Sequence, residues 1–159
     1  MAADVKEMSD DEIRDRITKL GFGGDSALFN RFCDRLREGL PVGTGVALRG
    51  SVVTNERWSN GQPFDGNGEG TSDLDVTLIG RRVMEYWDSE EFYIPGLHTK
   101  PLGDQHSDIA PGMEPLRRSL QEMVGRPVNF QATSNLVLFV RDILFDQPYF
   151  MLFEPDENV

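Results

Sequence analysis

Two aspartates, Asp73 and Asp75, stand two positions apart in S-D-L-D, at the head of an apolar run through Val76, Leu78 and Ile79. Side chains on a strand alternate faces, so the two carboxylates share one face while Leu74, Val76 and Leu78 share the other. Neighbouring carboxylates repel and resist burial unless a cation or a shared proton compensates them. A hard divalent cation such as Mg²⁺ is held by one or two carboxylates together with the phosphates of a substrate. Upstream, Val46, Ala47 and Leu48 read as a short strand ending in Arg49-Gly50-Ser51. Gly50 has no Cβ to keep the backbone away from a phosphate, and Ser51 offers an amide and a hydroxyl. Arg49 could reach the same phosphates or face outward from its strand. A D-x-D pair alone is more often a solvated strand face than a site. The strand and glycine-serine turn ahead of it shift that balance toward a metal-and-phosphate site.

Other elements must hold this stretch in place. Ser9 and Glu12 have capping-box spacing, and Ile13, Ile17 and Leu20 follow at helical period until Gly21 to Gly24 end the helix. Asp25 or Ser26 can cap a second helix whose stripe is Leu28, Phe32, Leu36 and Leu40, with Phe29 and Cys33 beside it. Residues 83–87 suggest a short helix, and 92–108, rich in proline and glycine, an irregular segment that contains His98 and His106. Residues 112–124 form a helix with Leu116, Leu120, Met123 and Val124 inward and Arg117, Arg118, Gln121 and Glu122 outward. Arg126-Pro127 launches a strand at 128–130, Ser134 caps a helix over 135–140, and 149–153 is a final strand. These elements predict one mixed α/β (α+β) domain over 9–153, a small mixed sheet flanked by helices. Residues 1–8 would be flexible and 154–159 an acidic tail.

Strand, G-S turn, then S-D-L-D resembles the nucleotidyltransferase superfamily that includes DNA polymerase β, over about residues 46–80 with weaker continuation to Phe130. The longer pattern R-G-S-V-V-T, G-Q-P-F-D, S-D-L-D and G-R-P-V-N-F is similar to nucleotidyltransferase-like domains of bacterial polymorphic toxins. The resemblance implies triphosphate contact at Gly50 and Ser51 and Mg²⁺ or Mn²⁺ ligation by Asp73 and Asp75. It implies transfer of an NMP group from an NTP to a protein, a small molecule or an RNA end, in a toxin-type effector. The chain departs from the pattern twice. Residues 60–70 lengthen the gap between Ser51 and Asp73, and Asn129 stands where a third carboxylate is expected. An amide oxygen can ligate a metal, but it cannot serve as general base. Either Asp65, Glu69 or Asp108 completes the site, or two acids suffice, or the domain binds nucleotide without turnover.

The formal net charge of −11 over 159 residues argues against extensive binding of polynucleotide phosphate, which requires lysines and arginines. A protein or small-molecule acceptor is therefore favoured, although Arg81-Arg82, Arg117-Arg118 and Arg126 could line a local groove if they are not ordinary surface charges. The charge also allows a plain interaction domain for a basic partner. Cys33, the single cysteine, sits on an apolar helix face and reads as a buried structural thiol. The two histidines lack metal-ligand spacing and read as surface or hydrogen-bonding residues, with His98 a lesser candidate for substrate contact. No apolar run spans a bilayer and no leader is evident, so the cytoplasm is the expected location.

Overall fold

The first two helices begin where side chains take up their unpaired amides. In the computed structural model, which describes residues 5–56 and 60–156, Ser9 Oγ accepts from the Glu12 amide at 3.2 Å and Glu12 accepts from the Ser9 amide. Helix α1 follows over Asp10–Gly21, and Asp25 caps α2 over Ser26–Gly39 in the same manner. Buried Ile13, Ile17, Phe29, Phe32 and Leu36 join the two helices to the sheet in one apolar core. Cys33 belongs to this core, and burial pushes its thiol up to about 11, so it is a packing residue.

Six strands form one mixed sheet in the order β3-β4-β5-β2-β1-β6: β1 Gly45–Arg49, β2 Leu74–Ile79, β3 Phe92–Ile94, β4 His98–Thr99, β5 Val128–Thr133 and β6 Tyr149–Phe153. The fold is α+β. The β2–β5 pair is parallel and the other pairs are antiparallel. Register sorts the side chains. Leu48, Val76 and Phe130 lie abreast, as do Val46, Leu78 and Ala132, and this apolar face packs into the core with α1, α2 and α5 (Glu114–Val124). The opposite face carries Arg49, Asp75 and Asn129 abreast, then Thr77 beside Gln131. Helix α6 (Leu136–Phe139) and a π-helical turn over Val140–Leu144 cover the Thr77, Gln131 and Thr133 end of that polar face. The Arg49 guanidinium lies 5.6 Å from the centroid of the Phe139 ring, and His98 meets the same ring edge-on.

The short helix expected over 83–87 is α4, Arg81–Met84, while several other local expectations change. The segment expected to be irregular supplies β3, β4 and a bridge between Leu102 and Phe130, because Thr99 and Leu102 dock on β5. Ser51 does not sit in a plain turn: Gly50 ends β1 and helix α3, Ser51–Thr54, starts at once. Arg117 points inward, at 1% exposure, and binds Glu114, Asp104, Gln121 and the Val128 carbonyl. Arg126 is buried as well, so neither arginine contributes to a basic groove. Asn135 rather than Ser134 caps α6, accepting from the Leu138 amide. At the N-terminus, Val5–Glu7 forms a 3₁₀ turn with Val5 and Met8 packed on the core, in place of a fully flexible segment; residues 1–4 of it lie outside the described residues. The acidic tail is tied down at its start, where the Asp156 amide bonds the Gly43 carbonyl at 3.0 Å; residues 157–159 lie outside the described residues. Among the described residues no helix is long and apolar enough to cross a membrane.

Candidate active site at the open end of the sheet

Gly50, Ser51, Asp73 and Asp75 converge on one cavity of about 370 Å³. Each arrives by a different route. Antiparallel pairing sets Arg49 opposite Asp75, so the Gly50–Ser51 corner emerges beside the head of β2. Gly50 has φ +82°, and a Cβ on it would stand 3.0 Å from Asp75 Oδ2. Glycine is thus required there twice, by backbone conformation and by the close approach of the carboxylate. Parallel pairing of β2 with β5 then places Asn129 beside Asp75.

Asn129 answers the question raised by its type. Its Nδ2 donates to Asp73 Oδ2 at 2.9 Å and to Asp75 Oδ1 at 3.0 Å. The two carboxylates can only accept when ionised, so the amide must turn its NH₂ toward them and its oxygen away. A Cβ on Gly103 would come within 2.5 Å of that oxygen, so the glycine makes room for this orientation. One neutral side chain therefore bridges two like charges that a third carboxylate would have repelled. The acids proposed from sequence as replacements do not supply it. Asp65 is held by Arg126 through both oxygens, at 2.7 and 3.0 Å, and neither Glu69 nor Asp108 lines the cavity. Burial pushes the Asp65 carboxyl up, but the Arg126 hydrogen bond and the Ser72 and Gly70 amides outweigh it and hold the group below the usual carboxylate range. The residues 60–70 insertion thus serves structure: Asp65 anchors it to Arg126, whose guanidinium lies over the Phe64 ring at 4.6 Å.

Arg49 lines the cavity, yet its guanidinium is engaged along the sheet by Thr77 Oγ1 at 3.2 Å and Gln131 Oε1 at 2.8 Å. Part of the lining comes from a segment the sequence did not mark, with Ile143, Phe145 and Gln147. Asp73 also borders a second cavity of about 340 Å³, lined by Pro101, Gly103, Asp104, Gln105, His106, Pro127 and Asn129. Among the described residues no lysine or arginine is part of that lining. Its Asp104 is held below the usual carboxylate range by Gln121 first and then, against the opposing effect of burial, by Arg117.

The donor set suits a hard cation in type, with two carboxylates two positions apart on one face. Among the described residues no three His, Cys, Asp or Glu side chains gather to hold a metal, so a divalent ion here would depend on substrate oxygens to complete its shell. His98 lies away from both linings. It is fully buried, with Nδ1 2.9 Å from Thr133 Oγ1 and Nε2 3.0 Å from Asp142 Oδ2. It pins the covering turn to the sheet. The chain matches no protein-family model, no curated protein and no solved structure at a significant level.

Proposed function

We propose that this protein is a Mg²⁺- or Mn²⁺-dependent nucleotidyltransferase that moves an NMP group from an NTP to a hydroxyl of a protein or small-molecule acceptor. The observation that carries the reading is the sharing of Asp73 between two cavities, one of which also holds Gly50, Ser51 and Asp75. A transferase needs a donor and an acceptor to meet at one reacting centre. Gly50 and Ser51 would receive the triphosphate, and the acceptor would enter from the side of Asn129 and His106. Among the described residues the second lining has carboxylates and no lysine or arginine, which suits a neutral or basic acceptor better than an RNA end.

The acceptor oxygen attacks the α-phosphorus in line, the bond from that phosphorus to the bridging oxygen breaks, and pyrophosphate leaves. Asp73 and Asp75 would hold the divalent ion, which when bound supplies electrostatic stabilisation of the charge developing on the phosphate oxygens. Ser51 contributes a hydroxyl and an amide at the phosphates. Asn129 cannot take the acceptor proton, whereas the His106 imidazole, in the wall of the second cavity, offers a nitrogen for it. Incubation with α-labelled NTPs, Mg²⁺ and a lysate should label an acceptor and release pyrophosphate. Labelling that persists in an Asp73→Ala/Asp75→Ala variant would overturn the reading.

Asn129 favours a second reading, a catalytically silent nucleotide-binding or regulatory module, because the acid pair is bridged by a neutral amide where a third acid is expected. Calorimetry separates the two when paired with a turnover assay: tight MgNTP binding with no pyrophosphate release selects the module.

A further inference from the structure

Apolar side chains exposed to water are unfavourable in isolation and informative when they border a site. Phe145 is 65% exposed and is the one strongly exposed large apolar residue, among the described residues, that lines the cavity of Ser51, Asp73 and Asp75. Its neighbour Leu144 is buried, at 3% exposure, in contrast to the ring of Phe145. The backbone departs from helix to leave the ring outside. Phe145 has φ +50° and Asp146 φ +63°, two successive non-glycine residues in the left-handed region, held by amide bonds from both to the Val140 carbonyl. Such conformations are unfavourable for residues with a Cβ and persist where the surroundings impose them. Here the surroundings include the Asp142–His98 pair, which fastens the turn to the sheet three residues earlier.

We infer that Phe145 is the platform on which the base of the nucleoside triphosphate stacks, with Ile143 beside it in the wall; this rests on the nucleotide reading above. The ring offers a π-face and no hydrogen-bonding group, so it accepts any of the four bases and favours purines for their larger face. The triphosphate and the base are then held by different elements of one cavity, the phosphates at Gly50–Ser51 and the base at the turn after the π-helical segment.

The test compares binding of MgATP, MgUTP and Mg-tripolyphosphate, which has no base, to the wild type, Phe145→Ala and Phe145→Trp by calorimetry. A thermal melt accompanies each variant, and the exposed ring should change it little. Phe145→Ala is expected to weaken MgATP about tenfold to a hundredfold, the range for loss of one base–aromatic stack. It should weaken MgUTP less and leave tripolyphosphate unchanged, while Phe145→Trp retains or tightens MgATP. Equal MgATP affinity in the wild type and Phe145→Ala would overturn the stacking role and leave the nucleotide reading standing. So would a parallel loss of tripolyphosphate, which would mean that the ring supports the pocket wall. If the wild type binds neither MgATP nor tripolyphosphate, the nucleotide reading itself falls and this inference with it.

Discussion

One face of the sheet is finished in two ways along its length. At the end nearest Thr133 the polar groups are roofed: Thr77, Gln131, Thr133 and His98 are buried, and each has a named partner on β1, β4, β5 or the covering turn. Two to four residues away on the same strands, Asp75 and Asn129 remain half-buried and two cavities open beside Asp73. The closed end spends its polarity on itself, through hydrogen bonds that satisfy every member of a network in a low-dielectric setting. At the open end like charges are gathered with a neutral amide between them, an arrangement that an added cation would improve. Polar residues on a strand thus carry opposite meanings depending on whether a roof reaches them.

The comparison breaks most visibly if the two ends respond alike to mutation. Removing the acid pair (Asp73→Ala/Asp75→Ala) should abolish transfer by about a thousandfold or more, the scale for losing a main electrostatic element. It should leave stability unchanged or slightly raised, since two like charges disappear. His98→Ala should do the reverse in kind. It removes both ring contacts and the edge-on packing against Phe139, and should cost about 2 to 3 kcal/mol in urea unfolding. The accompanying weaker nucleotide binding would follow from a loosened turn that carries Phe145. Loss of binding at full stability would contradict the closed-end role.

Asn129→Asp sharpens the same contrast with a smaller effect. A third carboxylate would replace the two N–H donors beside Asp73 and Asp75, so without metal the variant should lose about 1 to 2 kcal/mol. Adding Mg²⁺ should then raise its melting temperature by more than that of the wild type, because three acids hold a divalent ion more tightly than two. An equal Mg²⁺ response in both proteins would mean that no ion sits between these side chains.

The sequence revealed the open end better than the closed one, for a physical reason. Alternation around Asp73 and Asp75 follows from strand geometry alone, and the positive φ of Gly50 is a local need that glycine announces. Capping at Ser9 and Asp25 is local too. What stayed hidden depends on partners distant in the chain. Arg126 and Arg117 look like surface charges until Asp65, 61 positions away, and Asp104 neutralise them. His98 belongs to a two-residue strand that pairs with β3 on one side and with the distant β5 on the other. Phe145 is the plainest case: it lies beyond the helix expected over 135–140, and the π-helical turn and two left-handed residues rotate the chain end onto the cavity. No periodicity encodes that rotation.

Acid titration carries the comparison to its finest scale. Arg141 first, and then His98, hold the Asp142 carboxyl below its ordinary value, and Asp65 is lowered by Arg126 and two amides despite burial. A carboxyl lowered in the folded state binds fewer protons there than in the unfolded chain, so stability rises with pH through that interval. The contribution is complete above the unfolded value, near pH ~4 to 5, and is lost as pH falls through the folded one. Urea unfolding between pH 7 and pH 3 should therefore show a decline confined to the acid side. Asp65→Asn should be less stable than wild type at pH 7, where Arg126 loses its charged partner, yet should show a shallower acid decline because one of the lowered carboxyls is gone. An unchanged slope would mean that the Asp65–Arg126 pair, for all its geometry, does not set the acid stability of this fold.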